Sequence, residues 1–221
     1  MDLPNHLENI RHVIWDWNGT LLDDAWLCVE VMNGLLGPRG LPVLDAARYQ
    51  ELFRFPVRDY YVRLGFDFAV DPFEKVGTDF IAGYQERQHE CRLQRGAEQA
   101  LASLSALGIG CSILSASQQW RLEEQSARLG VRERFTTVLG LTDHFAGGKL
   151  ENGRRWIAQL GIDPKRVLLV GDTDHDCEVA HAIGVRCVLV PSGHQSPERL
   201  KALGVPMLAS LADLSSAAQA A

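Results

Sequence analysis

A short apolar run, a helical pattern closed by a glycine, then another apolar run: this succession recurs along most of the chain and admits few folds. Apolar runs rich in β-formers occupy residues 12–17, 109–114, 136–139, 167–170 and 185–190, each bounded by glycine or polar turn residues, as buried parallel strands are. Between them, Ala97, Ala100, Leu101, Leu104 and Leu107 recur at three- and four-residue spacing ahead of Gly108. Residues 118–129, 152–160 and 176–183 lead in the same way to Gly130, Gly161 and Gly184, the residue that most readily closes a helix in the left-handed conformation. Helix followed by strand, repeated, predicts the α/β class with a doubly wound, Rossmann-like parallel sheet.

Residues 24–93 break the alternation. They offer helical segments at 25–36, 45–53, 57–64 and 73–90 and no convincing strand. The expected division is an α/β core made of residues 1–23 and 94–221, interrupted by an all-helical insertion at 24–93.

Composition removes several functional classes. With 221 residues and 46% hydrophobic content the chain can bury a substantial core. Twenty-two basic against 28 acidic residues give a net charge of -6 without a basic cluster, which argues against a sequence-independent grip on nucleic acid. Cys28, Cys91, Cys111, Cys177 and Cys187 are scattered and lack CxxC spacing, as reduced thiols would be. Residues 1–11 contain no apolar signal segment and no window reaches the ~18 apolar residues of a membrane span. The expectation is a cytoplasmic protein without a membrane partner, monomeric or homodimeric.

Ligands of open α/β sheets bind beyond the carboxyl ends of the strands. Inspection of those positions gives Asp16, Ser115, Lys149 and the pair Asp172/Asp176. A strand delivering an aspartate into a Gly-Thr turn, with a second strand delivering two more carboxylates, suits magnesium-assisted phosphoryl transfer. Asp16 stands between Trp15 and Trp17 at a strand end, where a carboxylate costs desolvation free energy unless it has a partner.

These motifs, namely DWNGT at residues 16–20, Ser115 in ILSAS, Lys149, and GDTDHD at 171–176, occur in the order found in the haloacid dehalogenase superfamily. The chain resembles its phosphatases with a helical cap inserted after the first strand, of which phosphoglycolate phosphatases are members. The resemblance implies a central parallel sheet of about five strands with Asp16 on the middle one. It also implies that Asp16 attacks phosphorus to give an aspartyl-phosphate that water hydrolyses. Mg²⁺ would be held by Asp16, the Asn18 carbonyl, Asp172 and Asp176, the last directly or through water. Ser115 and Lys149 would bind the phosphoryl oxygens, assisted by backbone groups around Gly19 and Ala116.

The chain departs from its relatives at Asn18, where family phosphatases usually carry a second aspartate that protonates the leaving alcohol and then activates water. An amide does neither, and losing a general acid and base commonly costs about 10²–10⁴ in rate. Three readings follow. Either the substrate has an activated leaving group, as acyl, aryl or anhydride phosphates do, or another group such as His175, Asp174, Asp23 or Asp24 carries the proton. In the third, hydrolysis is lost and the fold serves as a phosphate-binding regulatory module, against which stands the joint retention of Asp16, Lys149, Asp172 and Asp176. Dehalogenation at carbon is disfavoured by the Asp172/Asp176 pair, and a Schiff base would have to fall on Lys75, the insertion's single lysine, which reads as a surface residue.

The resemblance assigns specificity to the cap. There Arg54 and Arg58 flank Phe55-Pro56 and are candidates to bind a substrate carboxylate or second phosphate. Tyr60, Tyr61, Phe66, Phe68, Trp15 and Trp17 read as cap core or cleft wall, and His144 with Gly147-Gly148 as a loop over the sheet. The expected function is Mg²⁺-dependent hydrolysis of a small phosphorylated metabolite.

Overall fold

The computed structural model describes residues 7–142 and 149–214; His144, Gly147 and Gly148 lie outside them. The strands, in chain order, are β1 (His12–Trp15), β2 (Leu22–Asp23), β3 (Arg92–Leu93), β4 (Gly110–Gln118), β5 (Thr137–Leu141), β6 (Val167–Gly171) and β7 (Arg186–Leu189). Five of them form one parallel sheet in the order β5-β4-β1-β6-β7. Each apolar run expected from the sequence is a strand of this sheet, and the run preceding Asp16 is the central one.

All four residues of β1 are buried because helices cover both faces of the sheet, which is why the run is continuously apolar rather than alternating. Val13 and Trp15 enter the larger core cluster with Ile113 and Val170. Ile14 enters a second cluster with Leu114, Leu169 and Val179. Helices α5 (Ala97–Ala106), α6 (Gln119–Arg128), α7 (Leu150–Leu160), α8 (Asp174–Ile183) and the short α9 (Pro197–Lys201) belong to this layered unit.

The insertion holds α1 (Ala25–Leu36), α2 (Ala46–Leu52), α3 (Val57–Leu64) and α4 (Phe73–Arg87). The expectation that residues 24–93 contain no strand is corrected at one end. Arg92 and Leu93 pair antiparallel with Asp23 and Leu22, tying the entry and exit of the helical segment into a two-stranded neck. Two residues are too short for any periodicity to announce a strand. The expected helix at 73–90 ends at Arg87 and tightens into a 3₁₀ turn over Gln88–Glu90.

Trp15, Trp17, Tyr60, Tyr61 and Phe66 are buried, Trp17 donating from Nε1 to Gln125 Oε1 at 2.9 Å. Lys75 pairs with Asp71 at 3.5 Å and is 62% exposed, a surface residue as expected. The five cysteines are free thiols. Among the described residues no helix is long and apolar enough to cross a membrane.

Candidate active site

β1 ends at Trp15, and the next residue, Asp16, still belongs to the sheet through its amide, which donates to the Val170 carbonyl at 2.9 Å. A buried central strand therefore aims this carboxylate at the carboxyl edge, next to β6, whose own end delivers Asp172. Ligand atoms of Asp16, Asp172 and Asp176 lie within 4.8 Å of one another. All three side chains are buried, with Asp172 at 0% and Asp176 at 1% exposure.

Lys149 joins this cluster from a distant part of the chain. Its ammonium, 3% exposed, donates to Asp16 Oδ1 and, at 2.5 Å, to Asp176 Oδ1. The other Asp176 oxygen accepts from the Thr173 hydroxyl at 2.7 Å and the Thr173 amide at 3.0 Å, forming the capping box that starts α8. The acid expected as a metal ligand or water holder is thus also the anchor of its helix. The Thr20 hydroxyl lies 2.8 Å from Asp172 Oδ1 and 3.3 Å from Asp16 Oδ2. Gly193 makes the site possible, because a Cβ there would fall 2.0 Å from Asp172 Oδ2, and His194 N donates to that same oxygen at 2.6 Å.

Burial, reinforced by Asp176 and Asp172, raises the Asp16 carboxyl above the usual carboxylate range against the pull of Lys149. Burial likewise raises Asp172, although His194 opposes it. Asp176 is held below that range because Lys149 and the Thr173 hydroxyl outweigh its burial.

Asn18 sits in a second buried network. Its Nδ2 donates to Asp24 Oδ2 at 2.6 Å and lies 3.3 Å from the Tyr84 hydroxyl, while its Oδ1 accepts from the Ser117 hydroxyl at 2.6 Å. Asp24, 0% exposed, also accepts from the Gly19 amide at 2.9 Å and the Tyr84 hydroxyl at 2.8 Å. His194 Nε2 stands 3.5 Å from Asp24 Oδ1, and the other ring nitrogen is 2.7 Å from the Tyr49 hydroxyl. Burial pulls the imidazole down, but Asp24, then Asp172 and Asp16, outweigh it and bring His194 to about 9. Burial pushes Asp24 up, but His194, Asn18 and Tyr84 together hold it below the usual range.

Three convergent carboxylates, Asp16, Asp172 and Asp176, share the Lys149 ammonium among the described residues, a local deficit of positive charge. A hard divalent cation with oxygen ligands fits that deficit, and Asp16 and Asp172 are the carboxylates whose neutralisation would relieve it.

Ser115 and Ala116, on β4, line one cleft with Asp16, Asn18 and Lys149. Arg54 and Arg58 are not among the residues lining it. Arg58 is exposed and lies over the Phe68 ring at 4.9 Å, so its charge is satisfied on the surface. The Gly19 amide is committed to Asp24 rather than pointing at a ligand. Of the alternative proton carriers, His175 lies against Phe55 at 4.7 Å between ring centres, Asp174 pairs with Arg199 at 2.9 Å, and Asp23 is exposed on β2. Asp24 does line the cleft, but it is an ionised acceptor there rather than a donor. Sequence reasoning missed Tyr49, Tyr84, Arg121 and His194; the last lies in the loop after β7 and would have emerged from inspecting that strand end as well.

The haloacid dehalogenase-like hydrolase family profile matches residues 13–190. The chain is 30% identical to an N-acetylmuramic acid 6-phosphate phosphatase of Pseudomonas aeruginosa, over 86% of this chain and 85% of the relative. It is 27% identical to a phosphoglycolate phosphatase of Synechococcus elongatus, over 87% of this chain and 89% of the relative. A haloacid dehalogenase-like hydrolase of Streptococcus pneumoniae superposes with a TM-score of 0.78 at 15% identity, covering 95% and 98% of the two chains. The chain belongs to the haloacid dehalogenase-like hydrolase family.

Proposed function

We propose that this enzyme hydrolyses a small phosphorylated metabolite with an activated leaving group, in the presence of Mg²⁺, through an aspartyl-phosphate on Asp16. The observation that carries this reading is Lys149, a fully buried ammonium bridging Asp16 and Asp176 at the wall of the cleft. A buried ammonium shared by two carboxylates, with a third beside them at a strand end, is the kind of perturbed ionisable cluster found at reaction sites.

Lys149 engages Asp16 Oδ1, so Oδ2, whose hydrogen-bond contact among the described residues is the Thr20 hydroxyl at 3.3 Å, is the oxygen placed to attack. As the bond from Asp16 to phosphorus forms, the bond to the leaving oxygen breaks. Water then attacks phosphorus, releasing phosphate and restoring the carboxylate. Lys149 and the Ser115 hydroxyl are placed to stabilise the phosphoryl oxygens. Asp16, Asp172, Asp176 and the Asn18 carbonyl would hold Mg²⁺, which, bound there, supplies Lewis-acid neutralisation of the phosphoryl charge.

Asn18 has no proton to give and points its amide at Asp24, so the leaving group departs as its own anion. Residues 24–93 act as the cap that sets specificity, contributing Tyr49, Phe53, Tyr60 and Tyr84 to the cleft. The substrates named in the two relatives, N-acetylmuramic acid 6-phosphate and phosphoglycolate, support the small-metabolite class.

The test is phosphate release from acetyl phosphate, p-nitrophenyl phosphate and phosphoglycolate, with and without Mg²⁺. The expected result is metal-dependent turnover of the first two, at least about 100-fold slower turnover of the alkyl ester, and none in Asp16→Asn. Asn18 favours one other reading, a regulatory phosphate-binding module. Silence of the wild type on all three substrates, with beryllofluoride still bound in a Mg²⁺-dependent way, would establish it.

A further inference from the structure

Arg121 lines the same cleft, where Glu124 acts on its charge from the same helix without forming an ion pair. It sits in the first turn of α6, 3% exposed. Nη2 donates to the Gln118 side-chain oxygen at 3.2 Å, and Nε, fully buried, has no acceptor. No carboxylate forms an ion pair with it among the described residues. Its guanidinium carbon lies 5.6 Å from the Tyr84 ring centre and 5.4 Å from that of Trp120. Those aromatic faces accommodate the planar cation but accept none of its hydrogen bonds. A buried guanidinium with an idle donor is costly, and a planar fork of donors matches a carboxylate.

Much of the remaining cleft wall is aromatic, with Phe53, Phe55, Tyr60, Tyr61, Phe80 and Tyr84 set among smaller apolar and polar side chains. Such surfaces take flat apolar bodies, and an aryl oxide is a leaving group that departs without a proton donor, as Asn18 requires.

We propose that Arg121 is a specificity-determining residue that binds a carboxylate on the leaving group, and that the substrate class is an aryl phosphate bearing that carboxylate. The proposal rests on the phosphatase reading for its phosphoryl end. The bond from phosphorus to the aryl oxygen breaks as Asp16 Oδ2 attacks, the aryl oxide takes a proton from solvent, and water releases phosphate from Asp16.

The experiment compares 3- and 4-carboxyphenyl phosphate with their neutral carbamoyl isosteres, in wild type, Arg121→Gln and Arg121→Lys. Binding of the corresponding non-hydrolysable phosphonates is measured by calorimetry in the same buffer with Mg²⁺. The wild type should prefer a carboxylate over its carbamoyl counterpart by roughly ten- to a hundredfold in both kcat/KM and affinity. Arg121→Gln should bring that ratio close to one, and Arg121→Lys should keep part of it; Lys also serves if Gln does not fold. A wild-type ratio near one for both isomers, a ratio that survives Arg121→Gln, or no binding of any phosphonate overturns the proposal. Turnover with a ratio near one counts against Arg121 alone. Absence of turnover counts against the phosphatase reading alone, and the calorimetric ratio then decides for Arg121.

Discussion

Asn18 is held by what surrounds it. Its amide nitrogen meets the Asp24 carboxylate at 2.6 Å and its oxygen meets the Ser117 hydroxyl at 2.6 Å, so the amide satisfies an acceptor on one side and a donor on the other. A carboxylate at this position would face the Asp24 carboxylate, and like charges in a buried contact raise each other's proton affinity. Asn18→Asp alone is therefore expected to lower stability at pH 7 by about 1–3 kcal/mol, and adding Asp24→Asn should recover part of the loss. Urea unfolding midpoints of the three proteins check this; a single variant as stable as wild type contradicts it. Asn18 was legible as an anomaly in the DWNGT run. Its explanation was not, because Tyr84 lies 66 residues away and Ser117 lies 99 away.

The element that couples fold to site is α8. Thr173 accepts from the Asp176 amide, and Asp176 in turn accepts from the Thr173 amide, so the helix start and the position of a site carboxylate are one structure. Thr173→Ala removes the cap and the 2.7 Å bond to Asp176 Oδ2. The expected outcome is a loss of about 1–2 kcal/mol in stability, read by urea unfolding, together with weaker Mg²⁺ activation in the phosphate-release assay. Unchanged metal dependence would show that Lys149 and the Asp172 and Thr173 amides suffice to position Asp176. At this scale the long elements were readable, since α1 and α3 begin and end where their periodicity does. β2 and β3 were not, because a two-residue pairing exists only by virtue of its partner across the insertion.

Across the whole molecule, burial also governs the response to acid. His12, 2% exposed at the start of the central strand, lies 2.9 Å from the Ser112 hydroxyl, and burial pulls its pKa down from 6.5 to about 4. The unfolded chain therefore binds this proton more readily than the folded one. The stabilisation is complete above about 6.5 and is lost as pH falls through the window toward 4. Between these limits, wild-type stability should fall with decreasing pH more steeply than that of His12→Gln, by up to about 1.4 kcal/mol per pH unit. Urea titrations at several pH values measure the difference, and superimposable slopes would refute it.

By itself the sequence determined the class of the sheet and pointed to a helical interruption and to the candidates Asp16, Ser115, Lys149, Asp172 and Asp176. Hydrophobic periodicity and position at a strand end are local properties that a linear text carries. Only the tertiary structure decided which charges are compensated and which are not. It placed His194 against Asp24 and Tyr49, the latter 145 residues away, withdrew Arg54 and Arg58 from the cleft, and left Arg121 there with a donor unmet. Such electrostatic assignments depend on distances between remote residues and on exclusion of water, and neither exists until the chain is folded.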